Sequence, residues 1–431
     1  MKKLIFFLGT LIYAQTFSQI VNNIPNSYIY KISKNNILLQ KEALNKTKSQ
    51  NYGKIEAEYN AVRFFNQPVM KIDSMQPVAV DPNTNLLIYK EVHSTLPMGD
   101  KNHYIFQLKY SYPIFTGFAI SNSIKKAKLE FIKSKLKFQN TKRELILNAA
   151  KLYAAIYALN EEIKALQFAK NALFLAKEKV KALFDEGLVD SSNVSEIEAK
   201  YYEIVAKIEK QKSQKTTLLN SLNELLNTDI KDISSLEKID IKNCDVTKRA
   251  DIKEVYKTLQ IAQLQEKLAK SSFYPKVGLE IAFKREGDNI FVTKNRYQNI
   301  DSSYIALGIK WDFSGKNRAE LKMAKIAKMN ALLFYKNYLN KARNELKNDF
   351  VLLKALRTEL KSAVSEEKAR ESYYKKIKAK FDEGLVDSVA LSDAIAKFST
   401  AKAKKEYIKS QIFFYNVKTN LDGGNLNLFK R

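Results

Sequence analysis

Cysteine is all but missing from this sequence. Cys244 is the one thiol in 431 residues, so no intrachain disulfide can form. It also lies far from the N-terminus, where a lipid-anchored bacterial precursor needs its cysteine. Histidine is nearly as scarce. With His93 and His103 the only two, no metal cluster finds its ligands in the sequence, and both read as surface residues at a loop-strand junction. Glycine and proline are absent from two very long stretches, Phe118 to Glu186 and Lys316 to Glu383, leaving nothing there to break a helix. Long apolar runs are missing too: after the N-terminal leader no segment reaches about 18 apolar residues, so no spanning helix is expected. Catalytic motifs are also lacking. Gly315-Lys316-Asn317 has neither the upstream glycine nor the following Ser or Thr of a phosphate-binding loop. No nucleophile elbow or paired-histidine motif occurs. The reading is a non-enzyme with no cofactor and no metal.

What is present begins with an address. Met1-Lys2-Lys3, an apolar core from Leu4 to Ala14 and small residues at Ala14 and Ser18 form a secretory signal peptide, expected at 1–18. The formal charge is +27, or +25 once Lys2 and Lys3 leave with the leader. The lysines are interleaved with glutamates along helical segments, without an aromatic-basic cluster. They read as a solvated face, and no nucleic-acid partner is expected.

Phe184-Asp185-Glu186-Gly187-Leu188-Val189-Asp190-Ser191 returns letter for letter as Phe381-Asp382-Glu383-Gly384-Leu385-Val386-Asp387-Ser388. Each copy closes one of the stretches free of glycine and proline. Glycine lets a helix end in a left-handed turn, so each copy reads as the bend of a long helical hairpin. Gly187 and Gly384 are 197 residues apart, while Phe115-Thr116-Gly117 and Phe313-Ser314-Gly315, like Pro77-Val78 and Pro275-Lys276, are 198 apart. A duplication of most of the chain accounts for all three spacings.

Asn35 to about Ala61 reads as helix, with Ile37, Leu38, Ala43 and Leu44 on its packing side. A weak strand is expected between Pro77 and Tyr89, then a polar loop over Lys90 to Asn102. Tyr104, Phe106, Leu108, Tyr110 and Tyr112 alternate with Ile105, Gln107, Lys109 and Ser111 as a strand. Val277, Leu279, Ile281 and Phe283 alternate with their own neighbours in the same way, and then Ile305, Leu307, Ile309, Trp311 and Phe313. Each run has about the length of a tilted membrane strand. At offset 198 the Tyr104 and Ile305 runs are out of phase, which a bulge near Pro113 would repair. An ordinary soluble hairpin remains the alternative. If the strands span lipid, several chains must pool them, because open edges are not tolerated there.

Leu145, Leu152, Leu159, Leu166, Leu173 and Val180 recur every seven residues, with Ala149, Ile156 and Ile163 interleaved. Leu339, Leu346, Leu353 and Leu360 repeat the pattern, which is coiled-coil packing. An uninterrupted helix of this length reaches roughly 100 Å. The first return helix ends near Asn227. A less periodic insert and a helix from Arg249 to Phe273 follow it. The second return has no such continuation. The Asn35 to Ala61 helix could supply it and would set chain start and end side by side.

These parts together resemble the TolC family of outer-membrane efflux proteins. The resemblance rests on the strand-to-helix junctions Tyr112-Pro113-Ile114-Phe115-Thr116-Gly117 and Trp311-Asp312-Phe313-Ser314-Gly315. It rests also on Arg249-Ala250-Asp251-Ile252, similar to the family's Arg-Pro-Asp-Ile helix start, on Ser272-Phe273-Tyr274-Pro275, and on the two Gly-Leu bends. It implies a mainly α fold with a membrane β-barrel portion: long α-helical coiled-coil hairpins and four β-strands per chain, closing as a trimer into a 12-stranded β-barrel in outer-membrane lipid. The corresponding layout is a signal peptide at 1–18, an N-terminal periplasmic helical segment at 19–76 and a first β-hairpin at 77–116. A first helical hairpin at 117–228 has its tip at 184–191. An equatorial insert at 229–248, a helix at 249–274 and a second β-hairpin at 275–314 follow. A second helical hairpin at 315–420 has its tip at 381–388, and 421–431 is a tail.

The resemblance implies a homotrimeric, passive exit duct of a tripartite efflux or type I secretion system, met at its periplasmic tip by an adaptor that links it to an inner-membrane pump. Gly187, Leu188, Val189, Gly384, Leu385 and Val386 are then the adaptor-docking tips. The other reading of the leucines is that they pack the ends of their own hairpins. Some members hold the tip closed with an arginine just after the bend glycine; Val386 stands at that position, so the latch is not carried over. Of the two entrance aspartates of such members, Asp393 matches one and Ala390 replaces the other. Asp393 is the entrance candidate, against a plain solvated helix carboxylate. A periplasmic adaptor also carries a helical hairpin, but no compact soluble β-domain flanks one here. A coiled-coil scaffold of the envelope would explain the heptads but not the leader, strands or duplication.

Overall fold

The computed structural model describes residues 14–293 and 301–429. Most of the expected signal peptide, residues 1–13, lies outside them. Among the described residues are seven α-helices and six strands, and no helix is long and apolar enough to cross a membrane. The chain divides into a unit built from 1–40, 130–260 and 329–431, and a second from 41–129 and 261–328.

The second unit holds the sheet. Strands β1 (Lys54–Arg63), β4 (Asn102–Phe115), β5 (Lys276–Gly287) and β6 (Asp301–Lys310) pair antiparallel in the order β1-β4-β5-β6. Alternation sorts the side chains by face. Ile55, Tyr110, Ile281 and Ile305 share one cross-strand row, with Ala57, Leu108, Phe283 and Ser303 beside it. On the other face Lys109 Nζ stands 2.8 Å from the Glu280 carboxylate, to which Tyr304 OH also donates at 2.8 Å. Both edge strands, β1 and β6, are exposed along their whole length. The bulge that reconciles the two halves is present: the pairing of β4 with β5 shifts register between Pro113 and Phe115.

Four expectations are corrected here. The helix read over Asn35–Ala61 is α2 (Tyr28–Ser49), and its last third is β1, so 19–76 is not a helical segment. Gly53 turns the chain at φ +75, where a Cβ would lie 2.5 Å from the Ser111 carbonyl oxygen, and only glycine makes that turn. The hairpin expected at 77–116 is not one hairpin, because β4 pairs with β1. Between them β2 (Val69–Val80) and β3 (Leu87–Pro97) form a separate two-stranded sheet. Most of the loop expected over Lys90–Asn102 is therefore strand. Both faces of this sheet are largely exposed, so it has no apolar alternation to betray it. Finally, β6 ends at Lys310, before Trp311 and Phe313.

The first unit is helical. α3 (Ala119–Asp185, 67 residues) and α6 (Gly315–Asp382, 68 residues) reach into it, and α4 (Ser191–Leu226) and α7 (Ser388–Asp422) return along them. The interleaved line Ala149, Ile156 and Ile163 is buried on α3, together with Leu145, Leu173 and Val180 of the heptad. The insert at 229–248 has little regular structure and adds Ile230, Ile233 and Ile239 to the core. α1 (Phe17–Asn22) seats Phe17 with ring centres 5.5 Å from Tyr153, 5.2 Å from Phe413 and 5.9 Å from Phe429. The first and last of the described residues lie side by side, through α1 rather than the Asn35–Ala61 stretch. Residues 15–18 belong to this fold. The Gln15 N–H donates to the Asp232 carbonyl at 3.1 Å and Ser234 N–H to the Gln15 carbonyl at 2.9 Å. Thr16 closes a capping box, and Ser18 donates to Glu237 from N–H at 2.8 Å and from Oγ at 2.9 Å.

Candidate functional site: the two bends

Both bends end their helices in the same way. Gly187 and Gly384 have φ +74 and +76. Leu188 N–H donates to the Leu183 carbonyl and Leu385 N–H to the Lys380 carbonyl, both at 2.8 Å. With Gly187 N–H on Phe184 O at 2.9 Å and Gly384 N–H on Phe381 O at 3.1 Å, each is a Schellman end that satisfies carbonyls a helix otherwise leaves open.

That motif commonly packs the residue after the glycine onto the side chain of the residue whose carbonyl accepts its N–H. Here Leu188 and Leu385 each stay 67% exposed, so the reading in which they seal their own hairpins does not hold. Val189 and Val386 behave otherwise: both are half-buried against the cluster formed by Val180, Ile197, Ile377, Phe381 and Leu391. The exposed apolar tip is thus one leucine per bend rather than a Leu-Val pair. Its acidic flanks, Asp185 and Glu186 in one copy and Asp382 and Glu383 in the other, are exposed.

The structure also brings in a residue that the sequence reading overlooked. Lys179 of α3 donates to the carbonyls of Phe381 at 3.0 Å and Asp382 at 2.9 Å. A cation there meets the negative end of α6. Asp393 lies one turn into α7, on the wall of a cavity of about 330 Å³ shared with Leu173, Lys200, Glu203 and Ser392. It pairs with Lys397 at 2.6 Å, both about half exposed. Ala390 is half-buried in the bend cluster, so no second carboxylate stands beside Asp393 on that turn.

The family model for outer membrane efflux proteins matches residues 89–228 and 247–412. The chain belongs to this family. Among solved structures, the Campylobacter jejuni CmeC outer membrane channel is 18% identical with a TM-score of 0.77, covering 95% of this chain and 86% of that one. VceC, the outer membrane protein of Vibrio cholerae, is 14% identical at TM-score 0.74, covering 95% and 96%. The Neisseria gonorrhoeae MtrE outer membrane channel, in its open state, is 15% identical at 0.73, covering 96% and 90%. These likenesses establish the TolC-type fold. No curated protein sequence matches the chain.

The efflux-family helix start Arg249-Ala250-Asp251-Ile252 opens α5 (Ala250–Ser271) and has a clear physical role. Arg249 and Asp251, each 4% exposed, form a fork of two bonds at 3.1 and 2.7 Å, and Tyr338 of α6 donates to Asp251 at 3.0 Å. Arg143 of α3 binds Asp422 at 2.8 Å, and Lys418 of α7 bridges Asp422 and Asp349. Four helices meet in this one cluster. Burial opposes the Asp251 charge, but the Arg249 fork holds its carboxyl below the usual range. Burial pushes Asp349 up to about 6, against the pull of Lys418 and with the Asp422 carboxylate beside it.

One more group of side chains meets in the second unit. His93, Asp73 and Glu91 bring their ligand atoms within 4.8 Å of one another on the β2–β3 sheet, all exposed. His93, expected as a surface residue at a loop-strand junction, is exposed but sits within β3. Its Nδ1 lies 2.6 Å from Asp73 Oδ1. Two carboxylates and an imidazole are a donor set suited to a borderline divalent ion; without one, the cross-strand pair satisfies itself.

Proposed function

We propose that this chain is the passive outer-membrane exit duct of a tripartite efflux or type I secretion system. Three copies close a 12-stranded barrel, and the bends dock a periplasmic adaptor linked to an inner-membrane pump. The observation that carries this is the sheet: four strands, one apolar face, one charged face and two open edges. In lipid an open edge leaves backbone groups unpaired, so β6 of one copy must pair with β1 of the next. The apolar face then meets lipid and the Lys109–Glu280 face lines water. An exposed line on α6, with Met329 at 55%, Leu333 at 56% and Val351 at 70%, offers further surface for a neighbouring copy. At the bends, Leu188 and Leu385 present two apolar knobs per chain to the adaptor, ringed by acids. Asp393 faces the periplasmic entrance. Mass measurement in mild detergent should give three chains; a stable monomer with all its strands formed would sink the proposal.

Export requires the leader, and its boundary moves from the expected 1–18. Thr16 and Ser18 have the small-residue spacing a signal peptidase accepts, but cutting after Ser18 would discard the fully buried Phe17 and the Gln15 contacts. Cleavage between Ala14 and Gln15 keeps all of them. Peptide mass spectrometry of protein from the outer membrane should find Gln15, free or cyclised, as the first residue. A first residue of Gln19 would overturn this boundary.

A further inference from the structure

The two bends are identical over eight residues, yet one is covered and the other is not. Phe381 is 6% exposed and Phe184 42%; Ser388 is 4% exposed while Ser191 is open. Further along the return helices Ser399 is 5% exposed and its counterpart Tyr202 59%. The cover on the second bend comes from the first hairpin. Lys179 Nζ donates to the two last carbonyls of α6, stands 5.0 Å from the centre of the Phe381 ring and 3.8 Å from the Asp382 carboxylate. Val180 packs beside it. The last two carbonyls at a helix C-terminus, a ring face and a carboxylate converge on one ammonium.

The duplication supplies the same ammonium a second time. Lys376 follows Lys179 by 197 residues, the spacing of the two bends, and Ile377 follows it where Val180 follows Lys179. Lys376 is exposed, as is the Phe184 bend. Within one chain the joint between hairpins uses the lysine flank of the first and the bend of the second. The lysine flank of the second hairpin and the bend of the first are left over, and they are complementary by the contact already made once. A head-to-tail contact of this kind closes into a ring when the rotation allows.

We propose that Lys376 of one copy caps the Phe184 bend of the next. Its Nζ takes the carbonyls of Phe184 and Asp185, with the Phe184 ring beneath it and the Asp185 carboxylate alongside. The partner is a second copy of this chain, and the tips are thereby joined all round the ring by one repeated contact. This rests on the oligomeric ring proposed above.

The test uses the full chain in detergent or native membranes, with the lone thiol removed by Cys244→Ser. Lys376→Cys is combined with Asp185→Cys and treated with a short bis-maleimide, since a lysine-length gap exceeds a disulfide's reach. The expected result is a ladder of covalent dimers and trimers, absent from either single variant. The reference pair, Lys179→Cys with Asp382→Cys, should link within one chain and run as monomer. If the detergent mass is that of a trimer and the Lys376–Asp185 pair still runs as monomer, the contact is wrong while the ring stands. If the mass is that of a monomer, the ring itself fails and this contact with it.

Discussion

Replacing Leu188 and Leu385 together by serine is expected to leave the trimer and its export intact while reducing adaptor cross-linking and efflux to background. Each leucine is 67% exposed, so the fold loses little. Full burial of such a side chain is worth roughly 1.5–3 kcal/mol, and most of that is still unrealised in the chain by itself. An adaptor that covers the leucines realises it, several times over in a ring, and the flanking acids orient the partner. The matching change at the valines separates docking from packing. Val189→Ser with Val386→Ser opens a half-buried cluster and should loosen the bends themselves, lowering heat resistance before it affects docking. The measurement is cross-linking to the adaptor in membranes beside an efflux assay. If the leucine pair loses the trimer, or transports normally, docking at the bends is refuted.

Arg249→Leu is the second change with a large effect, and it acts on folding. Arg249 and Asp251 are both 4% exposed. Removing one partner of a buried ion pair costs about 3–5 kcal/mol, because the other charge stays behind unpaired. The helical unit should unfold at clearly lower denaturant, with a smaller yield of heat-resistant oligomer.

Asp349→Asn in the same cluster is the opposing control. The carboxyl of Asp349 is held at about 6, above its usual value of 3.8, so the folded state favours the protonated form. Below pH 3.8 the group is protonated folded or unfolded and contributes nothing. As pH rises from there through 6 its ionisation destabilises the fold. Asparagine should therefore stabilise at pH 7.5 and be neutral near pH 3.5. An unchanged Arg249→Leu, or an Asp349→Asn that destabilises at pH 7.5, would show that the cluster does not carry this energy.

Much of the architecture is legible in the sequence because its causes are local. Two stretches without glycine or proline must be long helices, and an octapeptide repeated at their ends must turn them in the same way. The duplication, the strand-to-helix junctions and the Arg249-Ala250-Asp251-Ile252 start were enough to identify the family. The bulge near Pro113 that would repair the out-of-phase strands is also present, between Pro113 and Phe115. What escaped has causes elsewhere in the chain. β1 looks helical until Gly53 meets the Ser111 carbonyl, and β2 and β3 have both faces in solvent, so no alternation marks them. Val189 and Leu188 are adjacent and equally apolar, and only the cluster around Val180 separates them into packing and tip. The bends make the point most sharply. Phe184 and Phe381 sit in identical octapeptides, so their sequence determined a shared turn and nothing about cover. Burial belongs to the neighbour that arrives, and within this chain Lys179 arrives at the Phe381 bend.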